Sequence, residues 1–359
     1  MQRRDFVKSA MCLSCLGLMN SGCNSILDFQ NTKVDIKNSK FLYKSKSELP
    51  KMVRIEACSL CQLNCPACSI RLREKEMPKD WLGYLKFSDF KKFIDENDFI
   101  EEIEISNNGE VFLNPELNDI IKYAHQKNVK LTALSGTNLN TVSNETLENL
   151  VKYQFKALTV SIDGATQKTY EIYRVGGNLN TVIENINKIN EYKKKYNSIY
   201  PEIICQFILF GHNEHEIEDI KKLAKKLNIG LKFKRNVFPN YSPVKNPKLV
   251  EKLTGLPIYD DIDGLIKDSF KRQKKYACKL LFYKPQIDYD GKILGCCRIF
   301  DFKANAFKDG LLNALNSPTV VYAKHMLTDL SVPERKDVPC VDCITYKYIK
   351  EKKAPVEIS

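Results

Sequence analysis

Residues 61 to 68 place three thiols in a C-x3-C-x2-C run, Cys61-Gln62-Leu63-Asn64-Cys65-Pro66-Ala67-Cys68. Three thiolates this close on one loop can bind three irons of a cubane [4Fe–4S] cluster and leave the fourth iron open to another ligand. The competing chemistry is a zinc knuckle. Structural zinc takes four protein ligands, often as paired C-x2-C units, and Cys58 is the local candidate for the fourth. A second set lies far downstream: Cys278, the adjacent pair Cys296 and Cys297, and the C-x2-C of Cys340 and Cys343. Asp290-Gly291, flanked by alternating apolar residues, signals a hairpin. It would carry Cys278, ahead of the first strand, toward Cys296 at the end of the second. Cys296 is favoured over Cys297 by its spacing from the glycine. Cys278, Cys296, Cys340 and Cys343 make four thiolates, enough to ligate every iron of a cubane cluster or to close a zinc site. Of thirteen cysteines, only Cys12, Cys15, Cys23 and Cys205 fall outside these two groups. Clustered thiols in a long chain are metal ligands more often than disulfide partners.

The elements that must position the first set alternate. β-branched and apolar runs at 52–57, 100–106, 129–134, 157–162, 202–210 and 230–234 predict strands. Helical spacing marks 87–96, 116–126, 145–154, 179–195 and 216–227. Strands alternating with helices predict an α/β fold with a parallel sheet, most simply a partial (β/α)6 barrel. Right-handed crossovers then put the helices outside and gather the strand ends on one rim. The C-x3-C-x2-C loop follows the first strand, so its thiols would sit on that rim.

Other polar groups fall at the same rim. Ser106-Asn107-Asn108-Gly109-Glu110 follows the second strand, where glycine permits close backbone approach and a carboxylate can accept from an ammonium group. Ser161-Ile162-Asp163-Gly164 ends the fourth strand, and Tyr170-Glu171-Ile172-Tyr173-Arg174 follows it. A guanidinium there can pair with a carboxylate. Glu110 and Asp163 could equally cap helices, and Arg174 could form a surface ion pair. The histidines His125, His212, His215 and His325 lack metal-ligand spacing, and His212-Asn213-Glu214-His215 is expected to cap the helix that follows it.

The cysteine triad, its place after the first strand and these later motifs resemble the radical S-adenosylmethionine (SAM) superfamily. The resemblance covers residues 52 to about 235. In that family the open iron chelates the amino and carboxylate groups of SAM, and reductive cleavage yields a 5′-deoxyadenosyl radical that abstracts a substrate hydrogen. It implies that Cys61, Cys65 and Cys68 hold the catalytic cluster; Cys58 is extra to the pattern and could compete as a ligand or pack beneath the loop, with packing the expectation. Gly109 and Glu110 would contact the SAM amino group, Ser161 and Asp163 the ribose, and Arg174 the SAM carboxylate. The downstream hairpin and its cysteines are similar to SPASM or twitch domains, which hold auxiliary [4Fe–4S] clusters. No cysteine follows Cys343, which favours the one-cluster twitch form.

The expected organisation is a twin-arginine or lipoprotein-like signal at 1–23, a linker at 24–50 and a radical SAM core at 51–235. A connecting segment at 236–275, a small auxiliary-cluster hairpin domain at 276–348 and a tail at 349–359 follow. The expected function is a radical SAM oxidoreductase acting on a small hydroxyl-bearing molecule, with the auxiliary cluster as electron acceptor. Peptide or protein modification is the alternative; against it, 1–50 leaves no room for a leader-binding domain of ordinary size. A non-enzymatic iron–sulfur or zinc-binding protein is the second alternative. Expected partners are a small-molecule or peptide substrate and a low-potential donor such as flavodoxin or ferredoxin. The formal charge of +12 is spread over helix surfaces, as at Lys221, Lys222, Lys225 and Lys226, so no nucleic acid is expected. Catalysis is expected in the cytoplasm. Arg3-Arg4-Asp5-Phe6, an apolar stretch and Cys23 leave export or membrane anchoring open.

Overall fold

The computed structural model describes residues 34–68, 81–259, 261, 264–265, 267–268, 276–296 and 301–358. Cys297 and the basic N-terminal segment, with Arg3, Arg4 and Cys23, lie outside these residues. The chain divides into two compact units, Lys51–Asp268 with Ile287–Gly291, and the remainder.

The first unit alternates strands and helices. Its strands are β1 (Met52–Ile55), β2 (Glu102–Glu104), β3 (Lys130–Thr137), β4 (Ala157–Ser161), β5 (Glu202–Leu209) and β6 (Gly230–Arg235). They lie in the order β6-β5-β4-β3-β2-β1, each pair parallel. This is the α/β partial barrel expected from the alternation. Its helices are α1 (Phe87–Glu96), α2 (Leu117–Gln126), α3 (Asn144–Lys152), α4 (Gln167–Tyr173), α5 (Leu179–Lys195), α6 (Ile217–Lys226) and α7 (Pro247–Thr254).

Period-two patterning decides which strand face meets the helices. Val53 and Ile55 on β1, Ala57 just beyond it, and Ile203, Cys205, Phe207 and Leu209 on β5 are buried. The alternate positions carry Arg54, Glu56, Glu104, Thr132 and Gln206, so the other face of the sheet is polar. On α1 the buried Phe90, Phe93 and Ile94 recur at helical spacing. Side-chain caps set several helix starts: Ser143 Oγ accepts from Thr146 N at 3.1 Å, and Asn178 Oδ1 from Thr181 N at 3.1 Å. Asn246 caps α7 just ahead of Pro247. This helix lies in the stretch that the sequence marked only as connecting, and residues 236–268 belong to the barrel unit.

The second unit contains α8 (Tyr276–Tyr283), β8 (Ile293–Gly295), α9 (Leu311–Leu315), α10 (Pro318–Thr328) and α11 (Ile344–Glu351); the two-residue strand β7 (Gln286–Ile287) precedes the hairpin turn. Gly291 N donates to Asp288 O at 3.0 Å, and Gly291 takes φ 92°. The turn thus centres on Tyr289 and Asp290, with Gly291 closing it in the left-handed region. Val320, Val321, Tyr322, Ala323, Met326 and Leu327 of α10 are buried and form the core.

Residues 34–50 do not behave as the expected linker. Ser39 Oγ hydrogen-bonds His325 Nε2 at 2.7 Å, and Tyr43 N donates to Asn316 Oδ1 at 2.9 Å. Phe41 sits edge-on to His325, centroids 4.7 Å apart. This strap has almost no regular structure, so its few aromatic anchors leave no period to detect.

Candidate functional site

The C-x3-C-x2-C loop leaves the end of β1 and is anchored by its neighbours. Cys65, Leu63, Ala67, Tyr173 and Phe210 form a buried cluster, against which Cys61, Cys68, Ile208, Phe238 and Tyr241 pack. The three thiols of the motif therefore share one environment. Cys58 is fully buried, and its thiol points to Leu60 O at 3.8 Å. It packs beneath the loop, as the sequence suggested.

Gly109 is the floor of this arrangement. A methyl group there would come within 2.3 Å of Cys58 O, 2.5 Å of Ser59 C and 2.6 Å of Leu60 O. Only a glycine admits the cysteine loop so close, and Glu110 N then donates to Leu60 O at 2.7 Å. The Glu110 carboxylate accepts from Asn138 N at 2.7 Å and Phe112 N at 3.3 Å. It thus caps the short turn Val111–Leu113. One bond per oxygen leaves each a second acceptor position. Burial pushes its pKa up to about 7, against the lowering effect of these backbone donors.

Asn138 ends the run Ser135-Gly136-Thr137-Asn138 after the third strand, to which the sequence assigns no individual roles. Its backbone serves Glu110, and its side-chain Oδ1 accepts from Gln62 Nε2 at 2.8 Å, inside the cysteine motif. The segment Ser135-Gly136-Thr137-Asn138 therefore ties the ends of β2 and β3 to the loop. Gly136 takes φ 117°, and a Cβ there would meet Ser161 Oγ at 2.6 Å. Ser161 is thus pressed against the β3 backbone.

Asp163 and Arg174 form a buried ion pair. Arg174 Nε meets Asp163 Oδ2 at 2.5 Å, with side chains 14% and 0% exposed. Neither alternative role holds: Thr166, not Asp163, caps α4, and the pair is not on the surface. Asp163 Oδ1 accepts from Ile208 N at 2.6 Å, fixing the end of β5. Arg174 Nη1 lies 3.7 Å from Cys65 Sγ. Burial opposes the arginine charge, and Asp163 and then Cys65 more than offset it. For the Cys65 thiol burial raises the pKa, with Arg174 pulling the other way, while burial pushes Cys61 up to about 11. Binding a metal here must expel thiol protons.

The remaining polar groups on the barrel face have one signal in the sequence, Arg54 and Glu56 at alternating positions in an apolar run. Arg54 donates to Asn107 Oδ1 at 2.8 Å and Ser135 Oγ at 3.1 Å. Glu56 Oε2 accepts from Asn108 Nδ2 at 2.7 Å, while its buried Oε1 has no hydrogen-bond partner. Burial, then Asp288, pushes the Glu56 pKa up to about 8. His212 is not a helix cap. Its Nδ1 bonds Ser242 Oγ at 2.7 Å, and Asn213 closes the turn by accepting from Phe210 N at 2.8 Å.

The downstream cysteines converge within the second unit. Cys278, Cys296, Cys340 and Cys343 line one cavity, together with Leu281, Phe302, Leu327 and Tyr346. They come from α8, from the end of β8 and from the turn before α11. Gly295 takes φ 80°, and a Cβ there would strike the Phe302 ring at 2.3 Å, so glycine is what lets Cys296 follow at the cavity wall. Cys343 N donates to Cys340 O at 3.0 Å, folding the C-x2-C into one turn. Burial, then Glu334, Cys340 and Tyr322, pushes the Tyr346 pKa up to about 12. None of the described cysteines is in a disulfide. Among the described residues, no three His, Cys, Asp or Glu side chains close around a single metal ion, and no helix is long and apolar enough to cross a membrane.

Residues 55–227 match the family model of the Radical SAM superfamily. Among solved structures, SuiB of Streptococcus suis bound to S-adenosylmethionine is similar, with a TM-score of 0.58 and 14% identity over 84% of this chain and 72% of that one. SuiB bound to its precursor peptide SuiA gives a TM-score of 0.55 at 14% identity, over 84% and 71%. BtrN in complex with AdoMet and 2-DOIA gives 0.35 at 10% identity, over 86% and 88%. No curated protein matches the chain.

Proposed function

Given that residues 55–227 are a radical SAM domain and the chain a radical SAM enzyme, we propose that it oxidises a small hydroxyl-bearing molecule, with an auxiliary cluster taking one substrate electron. The observation that carries this reading is the convergence of Cys278, Cys296, Cys340 and Cys343 on one cavity. In it, Cys61, Cys65 and Cys68 hold the first [4Fe–4S] cluster, and the four cavity thiols hold the second. The donor sets fit these groups: three thiols leave one iron open, and four leave none. When bound, the first cluster supplies the electron that cleaves SAM, and the second a place for one electron.

The chain's own residues bind and orient. Glu110 has an acceptor position left on each oxygen for the SAM ammonium. Arg174, its Nε committed to Asp163, keeps terminal N–H groups to offer the SAM carboxylate. Ser161 serves the ribose, and Asp163, fully buried with both oxygens bonded, holds Arg174 in place rather than meeting the ribose itself. Tyr173, Phe210 and Tyr241, packed around the loop, exclude water from it. A flavodoxin or ferredoxin is the donor we assign. The auxiliary-cluster domain extends, in this reading, from 276 to 348, and the barrel runs beyond 235 through residue 268.

Peptide modification is the second reading. It is supported by the likeness to SuiB, which has been crystallised with its precursor peptide SuiA.

The deciding experiment replaces Cys340 and Cys343 with alanine in the anaerobically purified protein. Iron per chain is expected to halve, SAM cleavage without substrate to persist, and product formation to collapse. Loss of zinc with constant iron would sink the auxiliary-cluster assignment and the oxidative reaction with it.

A further inference from the structure

The cysteine cavity contains one polar group that its four thiols leave unexplained. Tyr346 lies on α11, one turn beyond Cys343, and lines the cavity. It is 1% exposed, and its Oη has no hydrogen-bond partner. Other tyrosines of the same unit do find acceptors. Tyr322 Oη donates to Pro333 O at 3.0 Å, and Tyr43 Oη to Phe282 O at 3.2 Å. A buried hydroxyl without an acceptor is costly, and a phenylalanine would fill the same space without that cost. The rest of the lining is Leu281, Phe302 and Leu327, whose side chains accept nothing, and the cysteine sulfurs.

We propose that Tyr346 Oη donates a hydrogen bond to a sulfur of the auxiliary cluster, a bridging sulfide or a cysteine thiolate, and thereby holds the cluster's reduction potential up. The inference rests on the four-cysteine cluster proposed above. Reduction adds one electron and moves no proton, so the reduced cluster carries one more negative charge. A donor aimed at sulfur stabilises that added charge more than the oxidised state, and hydrogen bonds to sulfur are one of the levers that set such potentials. The apolar walls work in the opposite direction, because burial disfavours the more charged form. Tyr346 would therefore be a positioning residue for electron acceptance rather than a catalytic one.

Tyr346→Phe removes one oxygen and keeps the ring in the core. The test uses the full chain, purified anaerobically. Iron and sulfide are counted, and the auxiliary cluster's potential is followed by EPR-monitored titration. Added SAM marks the first cluster's signal, so the other signal is identified by its indifference. The expected result is unchanged iron, a lost exchangeable-proton coupling to the auxiliary cluster in electron–nuclear double resonance, and a more negative midpoint. The expected shift is roughly tenfold in the reduction equilibrium, about 59 mV for one electron. An unchanged midpoint with the proton coupling retained overturns the role of Tyr346 and leaves the cluster assignment standing. Iron for only one cluster in the wild-type protein overturns both, and the iron count tells the two failures apart.

Discussion

Cys61, Cys65 and Cys68 come from eight consecutive residues, whereas Cys278, Cys296, Cys340 and Cys343 are gathered from three separate segments of another unit. Their surroundings differ as much as their origins. The loop is bordered by Arg174, Asp163 and Glu110, all buried or nearly so and capable of charge-assisted bonds. Cys61 and Cys68 remain partly exposed. The cavity is walled by Leu281, Phe302 and Leu327, with Tyr346 supplying an unpartnered hydroxyl. A site that must exchange a charged ligand needs polar groups and an opening. One that only stores an electron needs complete ligation and shelter. The comparison teaches that a short motif can specify ligands, while the environment around them specifies the use.

The sharpest way to break the comparison is to remove the loop thiols together. With Cys61, Cys65 and Cys68 replaced by alanine, SAM cleavage is expected to vanish while about one cluster's worth of iron stays. 5′-Deoxyadenosine production under a strong reductant would refute the division of labour between the two sets.

A smaller effect is expected when the thiols are kept and their floor is raised. Gly109→Ala puts a methyl group 2.3 Å from Cys58 O, a clash that only backbone movement relieves. Such overpacking costs about 1–3 kcal/mol. Iron on the first site should fall and SAM cleavage should drop more than tenfold, with the auxiliary cluster unaffected. Full iron occupancy and wild-type turnover would show that the loop does not depend on this approach.

The mildest change is Glu110→Gln, which leaves both shape and cluster in place. A charge-assisted bond to the SAM ammonium is worth about 1.5–3 kcal/mol, so SAM affinity should fall about tenfold or more. Its pH dependence carries further information. Burial raises the folded pKa to about 7, so without SAM the fold favours the protonated acid. The stability this group contributes is full below about 4.5 and lost as pH rises through about 7. SAM, a cation at its ammonium, favours the ionised form, so affinity should climb with pH up to about 7 and then level off. The glutamine variant should show no such climb by calorimetry. Identical profiles for both proteins would make Glu110 a structural cap alone.

Much of the barrel was legible because its signals are local. Alternating strands and amphipathic helices repeat often enough to define the parallel sheet, and the observed strands fall within a few residues of the expected runs. Gly109-Glu110 was identifiable from its place after a strand. Asn138 was not, because nothing in its own sequence neighbourhood announces a bond to Glu110 and another to Gln62. Phe238 and Tyr241 were hidden for a related reason: their segment is rich in proline and lacks periodicity, yet it packs on the cysteine loop. Residues 34–50 read as a linker because anchors such as Phe41 and Tyr43 carry no pattern without the helices they meet.

By itself the sequence determined the fold class, the C-x3-C-x2-C loop at the end of the first strand and the four downstream thiols as a set, because spacing and period are properties of the chain alone. Tertiary structure decided the rest. It closed Cys278, Cys296, Cys340 and Cys343 around one cavity, buried the Asp163–Arg174 pair beside Cys65, and left the Tyr346 hydroxyl unpartnered among sulfurs. These depend on desolvation and on which distant atoms become neighbours, and both are set only once the whole unit packs.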